Sequence, residues 1–153
     1  MQNTVLPTPD DCVIQNYREV NAAVATVYKA ITHPEHLKNW WGPKGFTNTF
    51  NEYNLQPGGR WHFIMHGPNG QNYTNECIFV KIAPPHLLVF NHISAPQFQV
   101  VVQLHEITAQ KTGFTFKQVF EHADACGKLR DFCLEKNEEN LDRLEAELRE
   151  MTK

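Results

Sequence analysis

Hydrophobic and polar residues alternate along much of the chain before residue 121. Between positions 60 and 66, Trp61, Phe63 and Met65 fall on one side, and His62 and Ile64 fall on the other. A period of two residues is typical of a strand with one buried face. Patterns of this kind, some less regular, predict strands at 12–20, 46–55, 60–66, 72–82, 87–92, 98–107 and 114–120. Because short, turn-like connections separate the last six, we expect an antiparallel sheet.

A different period follows the first predicted strand. Apolar residues at positions 24, 27, 28 and 31 have the three- and four-residue spacing of an amphipathic helix, and Asn21 is a candidate N-cap. We expect this helix to end before Pro34, since the residue preceding a proline avoids the helical region. Pro34 in turn favours the start of a second short helix, which runs to about residue 39.

The C-terminal stretch, 124–153, has the pattern of one long helix. Asp124 is its candidate N-cap, because a short carboxylate can accept a hydrogen bond from an unpaired amide of the first turn. The apolar residues of one face are Leu129, Phe132, Cys133, Leu141, Leu144, Leu148 and Met151. Lys136, Asn137 and Asn140 interrupt this face near its middle. Either the helix is only partly covered there, or these side chains face a space that accepts polar groups.

The aromatic face of the sheet and the apolar face of the helix bury each other only if the sheet wraps around the helix. We therefore predict an α+β fold: a curved antiparallel sheet of about six to seven strands around a long C-terminal helix, with two short helices after strand 1. Residues 1–11 are expected to form a loosely ordered segment before a single domain at 12–153. A curved sheet need not close flush on the helix, and the gap would form an apolar ligand pocket.

Composition narrows the classes of partner. The chain of 153 residues has a formal net charge of −3 and no basic stripe, so we do not expect nucleic acid as a partner. Its apolar runs are too short for membrane insertion, and no secretion signal is visible. The four cysteines form no CxxC pair, so we interpret them as reduced thiols of a cytoplasmic chain. The sequence leaves monomer and homodimer open.

Four stretches of the chain resemble a known family when they occur in this order. They are VNAAVATVYKAITHPEHLKNWWGPKGF, LQPGGRWHFIMHGPNGQNY, IAPPHLLVF and NLDRLEAEL. Together they resemble the SRPBCC (START-like, helix-grip) superfamily, and within it the group related to the C-terminal domain of the activator of Hsp90 ATPase. The resemblance extends over about 16–151. It implies a deep hydrophobic cavity between the curved sheet and the last helix, and a protein that carries or modifies a small hydrophobic molecule.

The chain departs from that family's pattern in two places. Members often carry Gly-Trp in the last helix, where this chain has Lys136-Asn137, so we expect a pocket floor of different shape and polarity. The eukaryotic Hsp90 activators also have a separate N-terminal chaperone-binding domain, which this sequence lacks. We therefore do not expect an Hsp90-type chaperone as a partner.

The candidate ligand-binding residues combine the aromatic strand face with the resemblance. They are Trp40, Trp41, Trp61, Phe63, Met65, Tyr73, Phe79, Phe98, Val100, Phe114, Phe116, Phe132 and Asn137. The alternative is that the alternating aromatic side chains simply fill the core, since such residues usually pack against one another. For Trp40 and Trp41 the alternatives are a hydrophobic plug beneath the two short helices and a place at the pocket mouth.

Evidence for catalysis is thin. No nucleophile elbow, Ser-His-Asp order or phosphate-binding glycine loop is present, so the catalytic residues remain unassigned. The polar candidates for the pocket are Tyr73, Gln118, Asn137 and Asn140. Two of the eight histidines, at 62 and 66, share a strand face but lie about 13 Å apart, too far for one ion. We expect neither a metal nor a cofactor.

Three functions follow from these observations. The principal expectation is binding of a small hydrophobic or aromatic ligand between the sheet and the last helix. The first alternative is an enzyme of the same fold, similar to a cyclase or hydrolase, and a polar pocket group beside an inward Asp, Glu or His would favour it. The second is a chaperone-linked interaction module, which a filled core with an exposed apolar patch near 40–46 would favour.

Overall fold

The computed structural model describes residues 12–153. Seven strands form one antiparallel sheet in the order β1-β7-β6-β5-β4-β3-β2. The elements are β1 (Val13–Val20), α1 (Val24–Thr32), α2 (Pro34–Trp40), β2 (Thr47–Tyr53), β3 (Arg60–His66), β4 (Asn72–Ala83), β5 (Leu87–His92), β6 (Phe98–Thr108), β7 (Lys111–Val119) and α3 (Ala123–Met151). The predicted α+β helix-grip fold, with two short helices after strand 1, is confirmed. The predicted loose segment at 1–11 lies outside the described residues.

Strand boundaries agree with the alternation except at the β6–β7 hairpin. The stretch 108–113 was expected to be a polar turn, but the ladder continues to the pair Thr108 and Lys111. Gly113 pairs with His105, and a Cβ at this position would overlap the His105 ring. The polar residues here belong to paired strands because a glycine makes room for that ring.

Both predicted N-caps are wrong. The N-cap positions of α1 and α3 are Ala23 and His122, and neither side chain makes a capping hydrogen bond. Asp124 instead lies in the first turn of α3, where a negative charge interacts favourably with the helix dipole. Capping depends on which residue is extended immediately before the helix, and here that is not the residue with the best side chain.

The concave face of the sheet and one face of each helix form the main core. Trp61, Phe63, Phe79, Phe114 and Leu144 are among the largest fully buried side chains. Apolar side chains of this size each contribute about 1.5–3 kcal/mol on burial, so the core accounts for much of the stability. Within residues 12–153, no helix combines the length and apolar character needed to cross a membrane.

Buried polar atoms in the α1–α2 unit have backbone partners. The Trp40 indole donates to the carbonyl of Ala30 at 2.9 Å, and the Tyr53 hydroxyl donates to that of Thr32 at 2.6 Å. Burial raises the pKa of Tyr28 to about 12, and its hydroxyl donates to the Leu87 carbonyl. These bonds join the short helices to each other and to the sheet.

The long helix α3 lies across the concave face with its acidic side outward. Arg18 on β1 forms ion pairs with Glu138, Asp142 and Glu145 at 2.8, 2.7 and 3.2 Å. Among the residues of its predicted apolar face, Phe132 differs, because it is 61% exposed. Phe132 lies at the edge of the apolar arc, just before the polar interruption, so the sheet does not cover it.

Candidate functional site

A cavity of about 150 Å³ lies beneath the middle of α3, where the apolar face of the helix is interrupted. The lining residues are Trp41, Gly42, Pro43, Phe63, Met65, Asn75, Phe90, His92, Phe98, Val100, Phe116, Gln118, Lys136, Asn137 and Asn140. All three polar residues that interrupt the helical face belong to this set. Both alternatives that the sequence left apply: these side chains face a space that accepts polar groups, and the helix is only partly covered there, since the Lys136 side chain is 38% exposed.

Aromatic rings from the sheet and from the α2–β2 loop form the apolar wall. The Trp41 ring lies 6.1 Å from both the Phe90 and the Phe116 rings, and 5.4 Å from the Trp61 ring. Trp40, its neighbour, is only 2% exposed and belongs to the core. The Trp-Trp pair is therefore divided between two roles: Trp40 packs beneath the short helices, and Trp41 borders the cavity.

Asn137 joins α3 to the strands β1 and β7 by hydrogen bonds. Its side-chain amide donates to Asn16 Oδ1 on β1 at 3.0 Å and to Gln118 Oε1 on β7 at 2.9 Å. Asn16 in turn donates to the Leu134 carbonyl and to Glu138 Oε2. Since Asn16 and Gln118 are both buried, this network satisfies amide groups that would otherwise be costly to bury. It also keeps polar atoms in the wall of the cavity.

Asn140 lies one turn further along and has a different environment. It is 8% exposed, and its Oδ1 is buried without a hydrogen-bond partner. Among the described residues, its side chain forms no hydrogen bond. A buried amide that lacks partners costs about 1–3 kcal/mol. An unsatisfied amide in a cavity wall marks a place where a bound molecule can supply the missing bonds.

His92 lies at the mouth of the cavity. Its ring stacks on Phe98 with centroids 4.7 Å apart, Nδ1 lies 2.8 Å from the Pro96 carbonyl oxygen, and Nε2 lies 2.7 Å from Asn75 Oδ1. Burial lowers the pKa of His92 below its ordinary value, and hydrogen bonds to backbone atoms of residues 94 and 96 partly offset this shift. The neutral imidazole is therefore favoured at physiological pH.

Outside the mouth lies an open cleft of about 720 Å³. It shares Pro43, Met65, Asn75, His92 and Lys136 with the cavity, so these five residues border both spaces. Phe132 and Tyr73, two predicted ligand-binding residues, line only the cleft. The Tyr73 hydroxyl donates to Gln71 Oε1 rather than into the cavity.

Arg143 holds the rim of the cavity in place. Its guanidinium donates to the carbonyl oxygens of residues 39, 41, 42, 43 and 46 at 2.8–3.3 Å. Within this loop Gly42 has φ +100°, and a Cβ there would lie 2.7 Å from Met65 Cε. One arginine on α3 thus positions the loop that carries Trp41, and a glycine is required where that loop approaches Met65.

The structure brings about half of the predicted ligand-binding residues to the cavity. Those that line it are Trp41, Phe63, Met65, Phe98, Val100, Phe116 and Asn137. Trp40, Trp61, Phe79 and Phe114 lie in the core, away from the cavity. The predicted polar candidates Gln118 and Asn140 line it as well.

Sequence reasoning missed Asn75, His92 and Arg143 as site residues. Asn75 lies on β4 and His92 ends β5, and neither belongs to an apolar or catalytic pattern. Arg143 lies in the helical stretch that carried the resemblance, but a lone arginine on an acidic helix face gives no sign that it binds a loop. Only the pairing of distant strands and the placement of the loop reveal these roles.

The histidines are spread over several elements of the fold. Among residues 12–153, no group of three or more His, Cys, Asp or Glu side chains has the geometry to hold a metal ion. His62 lies near Asn51 Nδ2, and His66 contacts Thr49 and Asn72. Each of these two rings thus has neighbours on adjacent strands, outside the cavity.

Several solved structures share this fold. A protein from Nitrosomonas europaea superposes with a TM-score of 0.85 at 20% identity, covering 94% of this chain and 98% of its own. A protein from Arthrobacter aurescens gives 0.84 at 23% identity, covering 92% and 88%. One from Rhodobacter sphaeroides gives 0.82 at 19% identity, covering 95% and 97%. At these identities the likeness establishes the architecture and not the activity.

Sequence comparison gives the family. No curated protein matches the chain significantly. The sequence pattern of the family described as "Activator of Hsp90 ATPase homolog 1-like protein" matches residues 21–149, which include α1, α2, the strands β2 to β7 and most of α3. The chain therefore belongs to the activator of Hsp90 ATPase homolog 1-like family, within the SRPBCC superfamily that its sequence resembled.

Proposed function

We propose that this protein binds a small hydrophobic or aromatic molecule in the cavity between the sheet and α3. The observation that carries the proposal is the cavity itself, which is bordered by aromatic rings and by a few polar groups at defined positions. That combination is the usual composition of small-molecule sites, in which apolar area supplies affinity and a few polar atoms supply orientation.

The size of the cavity limits what it holds. Drug-sized ligands occupy about 300–1,000 Å³, whereas an apolar cavity of about 150 Å³ holds a molecule such as benzene. At about 150 Å³, this cavity suits one ring or a short branched chain. A larger ligand would extend past His92 and Lys136 into the adjoining cleft.

Filling the cavity tests the proposal. Val100 is 1% exposed and lines the cavity from β6, so Val100→Phe places a ring in the space that a ligand would use. We expect toluene and indole to shift the NMR signals of the Trp41 indole and the Asn137 side-chain amide in the unmodified protein. We expect Val100→Phe to weaken these responses at least tenfold.

The matched control is Ile107→Phe, on the same strand, where the side chain is 38% exposed and lies outside the cavity. This variant should respond to the probes as the unmodified protein does. If the unmodified protein shows no response to either probe, or if a folded Val100→Phe variant responds equally well, ligand binding in this cavity is wrong.

One observation favours an enzyme as the second candidate function. His92 borders the cavity that Asn137 and Asn140 also line, and a histidine among polar pocket groups is what the sequence left open for chemistry. Against it, both nitrogens of His92 lie within hydrogen-bond distance of protein oxygens, and no Asp or Glu of the described part of the chain lines the cavity. Recovery of a chemically altered ligand after incubation with the protein, but not with His92→Gln, would support the enzyme.

The chaperone-linked alternative receives less support. The sequence tied it to a filled core with an exposed apolar patch near 40–46, but the core contains a cavity and Trp40 is buried. The exposed apolar cleft at the cavity mouth does include Pro43 and Phe46 of that stretch, so it is the unfilled core that argues against this alternative. We therefore place the function in the cavity, with a small molecule as the partner.

A further inference from the structure

The cavity and its outer cleft differ in charge from the rest of the molecule. The chain has a formal net charge of −3, and α3 exposes Glu135, Glu138 and Asp142. Yet among residues 12–153 no Asp or Glu lines either space, whereas Lys136 borders both and Lys44 borders the cleft. The charged side chains that line the ligand space are thus cationic, on a protein that is anionic as a whole.

Lys136 retains hydrogen-bonding capacity despite a nearby carboxylate. Its Nζ lies 3.4 Å from Glu139 Oε2, while Glu139 Oε1 accepts a hydrogen bond from the Lys44 backbone amide at 3.1 Å. An ammonium has three N–H donors, so this one contact leaves donors for another acceptor. Its side chain is 38% exposed, and ion pairs at such sites are weak, so a ligand can compete with Glu139.

Asn140 supplies a second group on the same side of the cavity. Lys136 and Asn140 are four residues apart on α3, so their side chains lie on the same helix face. The amide nitrogen of Asn137 already donates to Asn16 and Gln118. The side-chain amide of Asn140 has no hydrogen-bond partner in the described part of the chain. The amide nitrogen of Asn140 forms no hydrogen bond within the described residues, so its N–H groups are available to an acceptor on a ligand.

The third polar group at the mouth contributes no charge at neutral pH. Burial lowers the pKa of His92 below its ordinary value, so the neutral ring is favoured at this pH. Among the described residues, Lys136 is therefore the cation that borders both spaces at neutral pH. A ligand anion that reaches the cavity mouth would find one ammonium and one unpaired amide along a single turn of α3.

We propose that the ligand class is a compact organic carboxylate: its ring or branched apolar part occupies the cavity, and its carboxylate binds Lys136 and Asn140 on the α3 side. This inference rests on the proposed function and adds the chemistry of the head group. The apolar wall selects for size, and the two helix residues select an anion over a neutral molecule of the same shape.

The test compares two probes that differ in charge but hardly in shape, benzoate and benzamide. At pH 7.5 and low salt, calorimetric or NMR titration should give benzoate about tenfold tighter binding, as expected for a charge-assisted hydrogen bond replacing a neutral one. Lys136→Met and Lys136→Gln should each bring the two affinities within about twofold of each other. Asn140→Leu should weaken benzoate about threefold, since one hydrogen bond is lost.

Lys128→Met is the matched control, because Lys128 is an exposed lysine of the same helix that lines neither space. It should keep the tenfold preference. Equal binding of both probes to the unmodified protein would overturn the carboxylate inference and leave the proposed function intact. A preference that persists in the folded Lys136 variants would overturn it too. If benzoate, benzamide, toluene and indole all fail to bind, the proposed function itself fails.

Discussion

The interface between the sheet and α3 is packed differently at its two ends. At the closed end, Trp40, Trp61, Phe79 and Phe114 belong to one buried cluster with the leucines of the last turns of α3. At the open end, around Phe98 and the other residues of the cavity wall, the sheet is equally aromatic but the space is not filled. The number of rings therefore does not make the difference between the two ends, although the strands contribute Asn75, His92 and Gln118 to the open end.

The helix makes the rest of the difference. Over the closed end it presents Leu141, Leu144 and Leu148, which are buried and fill the space between the rings. Over the open end it presents Asn137 and Asn140, whose shorter polar side chains cannot fill the same volume and instead need hydrogen-bond partners. A few polar residues on one turn of a helix thus convert part of a core into a cavity.

The strongest test of the closed end removes its central ring. Trp61 is 1% exposed and lies 4.2 Å from the Phe63 ring centroid. Trp61→Ala should lower the free energy of unfolding by about 3–5 kcal/mol, because truncation loses buried apolar area and leaves a large void. Urea unfolding measures this loss. Phe132→Ala, at a ring that is 61% exposed, is the control and should change stability little. Equal losses would contradict the division of rings between core and cleft.

The next test releases the loop at the rim of the open end. Arg143→Met removes the donor that binds the carbonyl oxygens of the Trp41–Phe46 loop, and should cost about 2–4 kcal/mol in unfolding free energy. It should also broaden the Trp41 indole signal, because the loop loses its attachment to α3. Arg149→Met, at an exposed arginine of the same helix, should do neither. A stable variant with an unchanged Trp41 signal would show that the loop keeps its position without Arg143.

Two asparagines of α3 should respond to the same substitution with opposite sign. Asn137→Leu strands the buried amide oxygens of Asn16 and Gln118 and should lower stability by about 1–3 kcal/mol. Asn140→Leu removes an unpartnered buried amide and adds apolar contact, and should raise stability by about 1 kcal/mol. Chemical denaturation of the two variants measures both changes in unfolding free energy. A loss of stability in Asn140→Leu would mean that its amide has a partner in solution.

The smallest effect concerns pH and the mouth of the open end. Because burial lowers the pKa of His92, the unfolded chain takes up this proton before the folded protein does. The stabilising contribution is fully present above about pH 6.5 and is lost as the pH falls from there through the lower pKa of the folded state. Unfolding free energy should thus fall less between pH 7.5 and 5.5 in His92→Gln than in the unmodified protein. His33→Gln, at an exposed ring, should keep the original slope.

Predictions that depend on neighbouring residues were more accurate than predictions that depend on contacts between distant parts of the chain. The bounds of β3 and β5 agree with their predictions, because β3 alternates as a strand with one buried face and β5 is a short apolar run between turns, buried on both faces. The N-caps Asn21 and Asp124 were wrong, since backbone conformation selects the capping residue. The site was predicted in part: aromatic alternation identified Phe98 and Val100, but it could not distinguish them from Trp61.

The order of apolar, polar and turn residues determined by itself that this chain forms a curved antiparallel sheet around an amphipathic helix. It also indicated that the middle of the helix is unusually polar. Only the tertiary structure decided that Asn137 is satisfied and Asn140 is not, that His92 and Asn75 meet at the cavity mouth, and that Arg143 holds the loop. Periodicity is local along the chain, whereas whether a polar atom is paired depends on which distant strand or loop lies opposite it.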